Sequence, residues 1–302
     1  LFGSSESDGN IKNVGVVDSY FKGNDHVGGV CGNNAGTITN CYNAGNLTAI
    51  ESSATVGGIC GYNNGGTVTN CYNTGTVTAT GSIASVGGVC GCSIAPISNC
   101  YNIGTVTAAS SDADISGICG YYFGPIKNCY YLADTEDENG GKTTAQFASG
   151  EVAYLLSQGC TVVVDNSDVT YDGSIWGQAL GENGDTYPTL GGAKVYKNAI
   201  YSGCEGEPGE PVSYEYSNTE KNTYGDHPDT DNDGRCDNCS AIIDGIGAKL
   251  AGYSLSLTGN IGVNFYMELS NDIVNDESAY MNFTLPNGTT SKVYVSGTHE
   301  DG

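Results

Sequence analysis

Basic residues are scarce in this chain: 302 residues carry 10 Lys and Arg against 34 Asp and Glu, a formal net charge of -24. A field of that sign repels nucleic acids and anionic bilayers and attracts cations, so nucleic acid is excluded as a partner. Histidine is nearly missing too. His26, His227 and His299 are scattered among polar residues, none near a nucleophile motif. No nucleophile elbow and no phosphate-cradling glycine loop is present. No apolar run approaches the ~20 residues of a membrane helix, so this sequence predicts no membrane insertion. One Trp and two Met stand against 21 Tyr and 46 Gly.

The glycines belong to a repeat. Val27-Gly-Gly-Val-Cys-Gly32 followed by Gly36-Thr-Ile-Thr-Asn-Cys-Tyr-Asn43 recurs three more times, and its second cysteine falls at Cys41, Cys71, Cys100 and Cys129, steps of 30, 29 and 29 residues. A constant step built from Gly, Asn and β-branched residues, with no helical period, predicts a parallel β-solenoid over residues 1–133. Three short strands per coil, stacked ~4.8 Å apart, would place equivalent residues above one another. Ile11, Ile38, Val68, Ile97 and Ile126 then form an inward apolar ladder. Asn40, Asn70, Asn99 and Asn128 form an amide ladder at a bend. Gly45, Gly75 and Gly104 mark a turn expected to need positive φ.

Eight of the 13 cysteines fall into two columns, Cys31/60/90/119 and Cys41/71/100/129. Disulfide staples or a thiolate metal array would use them, but Phe2 and Val14 stand in the same columns and can do neither. The columns therefore read as small buried hydrophobes. Val30 and Cys31 are adjacent, and a regular strand cannot turn both inward. Tyr42, Tyr72, Tyr101 and Tyr130 follow the second column and should face out. They form an aromatic stripe, either a platform for sugars or a protein partner, or simply stacked neighbours that stabilise one another.

The pattern GGVCG…GTITNCYNAGN resembles the bacterial GLUG repeat over roughly residues 1–133, with Val or Ile replacing the usual Leu and with added cysteines. The resemblance implies a surface-exposed scaffold of the kind found in large bacterial surface proteins, including non-catalytic regions near some immunoglobulin A peptidases. It carries over no catalytic residue.

Seven acids lie in residues 1–133 and 27 beyond, a composition shift that marks a boundary. Residues 134–200 are expected to cap the solenoid, as a small α/β element closing the array. Ser149 would N-cap a helix bearing Val152, Leu155 and Leu156 on one face and ending at Gly159. Strand and loop follow at Thr161–Val164 and Trp176–Leu190, with Trp176 as a core anchor. Residues 201–241 read as an acidic linker. Within it Asp229, Asp231, Asp233, Arg235 (through its carbonyl) and Asp237 match calcium-loop spacing, although Ser240 replaces the usual Glu and no helix enters. Zinc at Cys236 and Cys239 with His227 and Cys204, a local disulfide, or a loop that binds nothing are the competing readings. Residues 242–302 alternate with period two and turn at Pro286-Asn-Gly288, the start of an antiparallel sandwich-like module cut short.

The chain opens inside a repeat and so reads as a piece of a longer protein. The expected function is a non-enzymatic, secreted or cell-surface bacterial scaffold or adhesin that binds a glycan or a host or cell-surface protein. The alternative is an accessory, non-catalytic region of a larger exported peptidase or carbohydrate-active enzyme. A glycan-cleaving solenoid would need paired carboxylates, and Asp112 and Asp114, together in the longest loop between units, are the place to look.

Overall fold

The computed structural model describes residues 1–164, 166–204, 210–226, 228, 230, 236–239, 248–256, 262–269, 280–284, 288 and 290–294. Two compact units emerge: residues 1–198 with 215–220, and residues 199–214 with 221–302.

The first unit is a right-register stack of parallel coils. Five sheets of four to six short strands run along it, so each coil carries five strand segments where three were expected. One full coil contains Cys31–Asn34, Thr37–Thr39, Tyr42–Asn43, Asn46–Ala49 and Thr55–Gly57. The extra segments arise because the chain bends every few residues, too often for any strand to exceed four. The register aligns Ile11, Ile38, Val68, Ile97 and Ile126, and all but Ile126 are buried. Cys31, Cys60, Cys90 and Cys119 align likewise.

Both Val30 and Cys31 face inward. Their N–H groups donate to one carbonyl, that of Ile59 at 3.0 Å each, and the pattern repeats with Ile59 and Cys60 on Val89 and with Val89 and Cys90 on Ile118. A bend at Gly29-Val30, repeated at Gly58-Ile59 and Gly88-Val89, thus turns two successive side chains into the core.

The bends divide their work differently from the expectation. Asn40, Asn70, Asn99 and Asn128 adopt φ of 54°, 51°, 51° and 52°, the left-handed conformation that asparagine tolerates. Gly45, Gly75 and Gly104 do not have positive φ. Glycine is needed there because coils touch: a Cβ on Gly75 would lie 1.9 Å from the Gly45 carbonyl oxygen, and one on Gly104 2.0 Å from that of Gly75.

Beyond the coils, α1 (Thr144–Ala148) is N-capped by Thr143 in a capping box with Gln146. α2 (Glu151–Ser157) starts after Gly150 at φ 90° and buries Val152, Ala153 and Leu156. Ser149, expected to N-cap a single helix, instead C-caps α1. Gly159, at φ 65°, follows the second helix as expected. A hairpin pairs Cys160–Val164 with Ser167–Tyr171, and Trp176–Gly177 pairs with Thr189–Leu190. Residues 215–220 join this unit through Asn218, whose Oδ1 accepts from the Leu180 N–H at 2.7 Å.

These elements do not lie across the end of the array. They pack along its flank, against the tyrosine column, where stacked rings offer a broad apolar face and bend asparagines need acceptors. Asn70 and Asn99 donate to the carbonyls of Asp172 (3.0 Å) and Tyr171 (3.1 Å), and Asn128 to those of Leu155 and Leu156. At the last coil only one sheet is continued, by Gly141–Lys142 pairing with Tyr131 and Leu132. The Tyr131 ring covers Gly117, and its hydroxyl donates to Asp137. Among the described residues the other four sheets end there on open edges.

In the second unit, residues 199–204 run beside 221–225 through an Ile200–Thr223 bridge. Farther on, Ala248–Ser256 pairs antiparallel with Gly262–Leu269, and Tyr280–Thr284 with Thr290–Tyr294. The second hairpin turns at Gly288, φ 80°.

Candidate functional site

The tyrosine column is real but largely covered. Tyr42, Tyr72 and Tyr101 stack face to face with ring centroids 5.0 Å apart and planes within 8° and 4°. Trp176 packs against Tyr72 and Tyr101, at 6.0 and 5.4 Å, and Phe147 against Tyr101 at 5.8 Å. Tyr101 is buried and donates its hydroxyl to the Pro188 carbonyl, 2.7 Å away. Tyr42, Tyr72 and Tyr130 are half-buried. Burial pushes the Tyr101 hydroxyl well above its ordinary range and that of Tyr130 up to about 12. The stripe therefore serves as the docking face for the chain's own α1, α2 and Trp176, which corrects the expectation of an exposed platform.

Exposed aromatic surface lies elsewhere, on the last coil. Tyr121, Tyr122 and Phe123 are 47%, 58% and 72% exposed, and the rings of Tyr121 and Phe123 meet edge to face at 5.1 Å. Sequence reading missed them because the repeat places Cys92-Ser93-Ile94 and Tyr62-Asn63-Asn64 at the same positions, so no aromatic column announces itself. Beside them the coil's open end forms a cavity of about 1000 Å³ whose lining includes Ile118, Tyr122, Ile126 and Tyr131.

The interior holds amide and thiol ladders. Asn43 donates to Asn73 and Asn73 to Asn102, each at 2.8 Å, while each amide also closes its own turn on Gly45, Gly75 or Gly104. The expected ladder at Asn40, Asn70, Asn99 and Asn128 keeps a single internal bond, Asn128 to Asn99 at 2.9 Å. Each thiol of the second column donates to the carbonyl two residues earlier, as Cys71 does to Thr69 at 3.1 Å. Two of them also accept a backbone N–H from the preceding coil, as Cys71 does from Cys41 and Cys100 from Cys71. No disulfide links any of the 13 cysteines. Burial pushes the Cys31 thiol up to about 12 and those of Cys90 and Cys100 well above the ordinary range, so these sulfurs stay protonated.

The array carboxylates, Asp112 and Asp114 included, are all exposed. Of the expected calcium loop, Asp229, Asp231, Asp233 and Arg235 lie outside the described residues, as does His227. Asp237 is described, and its carboxylate accepts from the N–H and hydroxyl of Thr230, which hold it below the usual carboxylate range. Among the described residues one group of three potential ligands converges: Cys204, Cys236 and Cys239, whose sulfurs all lie within 4.8 Å of one another. This cluster could hold a metal ion. Its Cys204 thiol is pushed up to about 12 by its hydrogen bond with Cys239, then by burial and by Cys236.

Parallel in-register coils with a repeating buried interior define a β-solenoid repeat protein. Residues 52–78 match the family model described as the GLUG motif, and the strand register carries the same unit through the neighbouring coils. No curated protein and no solved structure matches the chain.

Proposed function

We propose that this chain is a non-enzymatic scaffold of an exported bacterial surface protein, and that its solenoid presents carbohydrate-binding aromatic surface at the last coil. The observation that carries the reading is the pair of rings Tyr121 and Phe123, exposed edge to face beside the cavity lined by Tyr122, on a stack whose interior is filled by apolar, amide and thiol ladders. Large exposed rings on a solvated protein mark contact surfaces, and ring faces suit the apolar face of a sugar. The deficit of Lys and Arg fits neutral or cationic partners. The resemblance to surface proteins carrying the GLUG motif supports the exported location.

The test is a glycan array with the full chain. Tyr121→Ala combined with Phe123→Ala should weaken binding to any positive glycan at least about 10-fold, as loss of two stacking rings implies, while Tyr20→Ala, another exposed ring, leaves it unchanged. Binding that survives the double substitution, or an array with no positive glycan, refutes the carbohydrate reading. Retention of the protein inside cells after surface proteolysis of the source bacterium refutes the location.

A further inference from the structure

The second unit has almost no apolar core where it begins. Among the described residues of 199–239 the buried side chains are Ala199, Cys204 and Cys236. So small a segment needs a staple, either a crosslink or a metal, to hold one conformation. Its backbone is nevertheless organised around three cysteines. The Tyr201 and Tyr224 rings stack at 5.0 Å, the Tyr201 N–H donates to Thr223 and the Gly225 N–H to Gly203, and this ladder leads directly to Cys204. Opposite it, the Asp237 N–H donates to the Pro228 carbonyl, and Thr230 donates to the Asp237 carboxylate. Those bonds hold Asp237, inside the turn Cys236-Asp-Asn-Cys239.

We propose that Cys204, Cys236 and Cys239 form a structural zinc site that staples the start of the second unit. Three sulfurs are soft donors, which select zinc over calcium or magnesium. The spacing is right for a shared ion. Zinc–sulfur bonds of about 2.3 Å in a tetrahedron put sulfurs roughly 3.8 Å apart, and the Cys204 and Cys236 sulfurs stand 3.5 Å apart. A disulfide would need them at about 2.05 Å. The Cys-x-x-Cys turn supplies two ligands from one side and Cys204 a third from a separate segment of the chain, the arrangement that closes a long loop with one ion. The columns of solenoid thiols differ in kind: each is bonded within the core, and no three of them converge among the described residues.

The experiment uses the full chain, reduced and stripped of metal, then titrated with zinc alone against a chromophoric chelator. One zinc per chain should bind. Cys204→Ser, Cys236→Ser and Cys239→Ser should each weaken it more than about 100-fold, beyond the range of changes that only orient a ligand, and Cys92→Ser should leave it unchanged. Cobalt in place of zinc should give a sulfur-to-metal charge-transfer band together with the visible bands of a tetrahedral site, a readout on the unmodified protein that misfolding of a variant cannot mimic. Zinc should also shield these three cysteines, and no others, from alkylation. The proposal is overturned by no zinc uptake, by protection mapping to solenoid cysteines, or by calcium binding tightly with the three Ser variants unaffected. A Cys204–Cys236 disulfide that persists in cells and leaves no zinc bound also overturns it.

Discussion

Asparagine does two jobs in this protein, and backbone geometry separates them. Before each second-column cysteine it takes the left-handed φ that lets the coil turn. Two residues after that cysteine, at Asn43, Asn73 and Asn102, it is buried, bonding its own turn and the next coil. An amide fits because it donates and accepts at once, so an endless stack leaves no buried polar atom unmatched except at its ends. Glycine is likewise required for two distinct reasons, and a pair of variants separates them. Gly65 has φ 87° and open space around it, whereas Gly75 abuts the coil below. Gly65→Ala should cost about 1–2 kcal/mol of backbone strain. Gly75→Ala should cost about 3 kcal/mol, because backbone cannot rotate away from an inserted methyl as a side chain could. Denaturant melts of the two variants check this, and equal losses would refute the steric account.

At the scale of elements, the flanking segment is held by Trp176. Its ring packs on Tyr72 and Tyr101 while its Nε1–H donates to the Asn99 carbonyl at 3.0 Å. Below it, buried Lys142 pairs with Glu136 and with Glu151, the latter at 3.1 Å, tying the loop after the last coil to the start of α2. Trp176→Ala should remove about 3–5 kcal/mol from this interface and uncover Tyr101. An alkaline absorbance titration would then show one more tyrosine ionising in the ordinary range than in the unmodified protein. No change in the tyrosine titration would mean the flank does not depend on this anchor. An anchor role for Trp176 was legible in the sequence, as the lone tryptophan in a stretch of loops. The surface it anchors to was not, because the stripe and the segment covering it are 75 residues apart between Tyr101 and Trp176.

For the whole molecule, the buried thiols of Cys31, Cys90 and Cys100 and the buried phenol of Tyr101 make stability sensitive to alkali. Cys31, Cys90, Cys100 and Tyr101 are all raised by burial above their ordinary ranges, 9.0 for thiols and 10.0 for phenols. The unfolded chain therefore loses these protons first as pH rises. The stabilisation is fully present below pH 9.0 and is lost progressively above it, through the folded value of about 12 for Cys31. Melting temperature should be flat toward neutrality and fall steeply above pH 9.0. Replacing Cys31, Cys90 and Cys119 together by Val, which titrates nowhere, should flatten that fall. A melting temperature insensitive to alkali in the unmodified chain would contradict the buried thiol columns.

What the sequence determined alone is the repeat and what the repeat implies: a step of 29 or 30 residues forces like side chains into register, so the apolar ladder and both cysteine columns could be read directly. Local bonding needs only neighbours one coil away, and those are encoded once per unit. Tertiary structure decided everything that joins residues without a period: which face the following helices cover, which aromatics remain exposed, and which distant cysteine meets the Cys236-x-x-Cys239 turn. Those outcomes depend on where the chain travels after the repeats end, and no spacing in the sequence records that path.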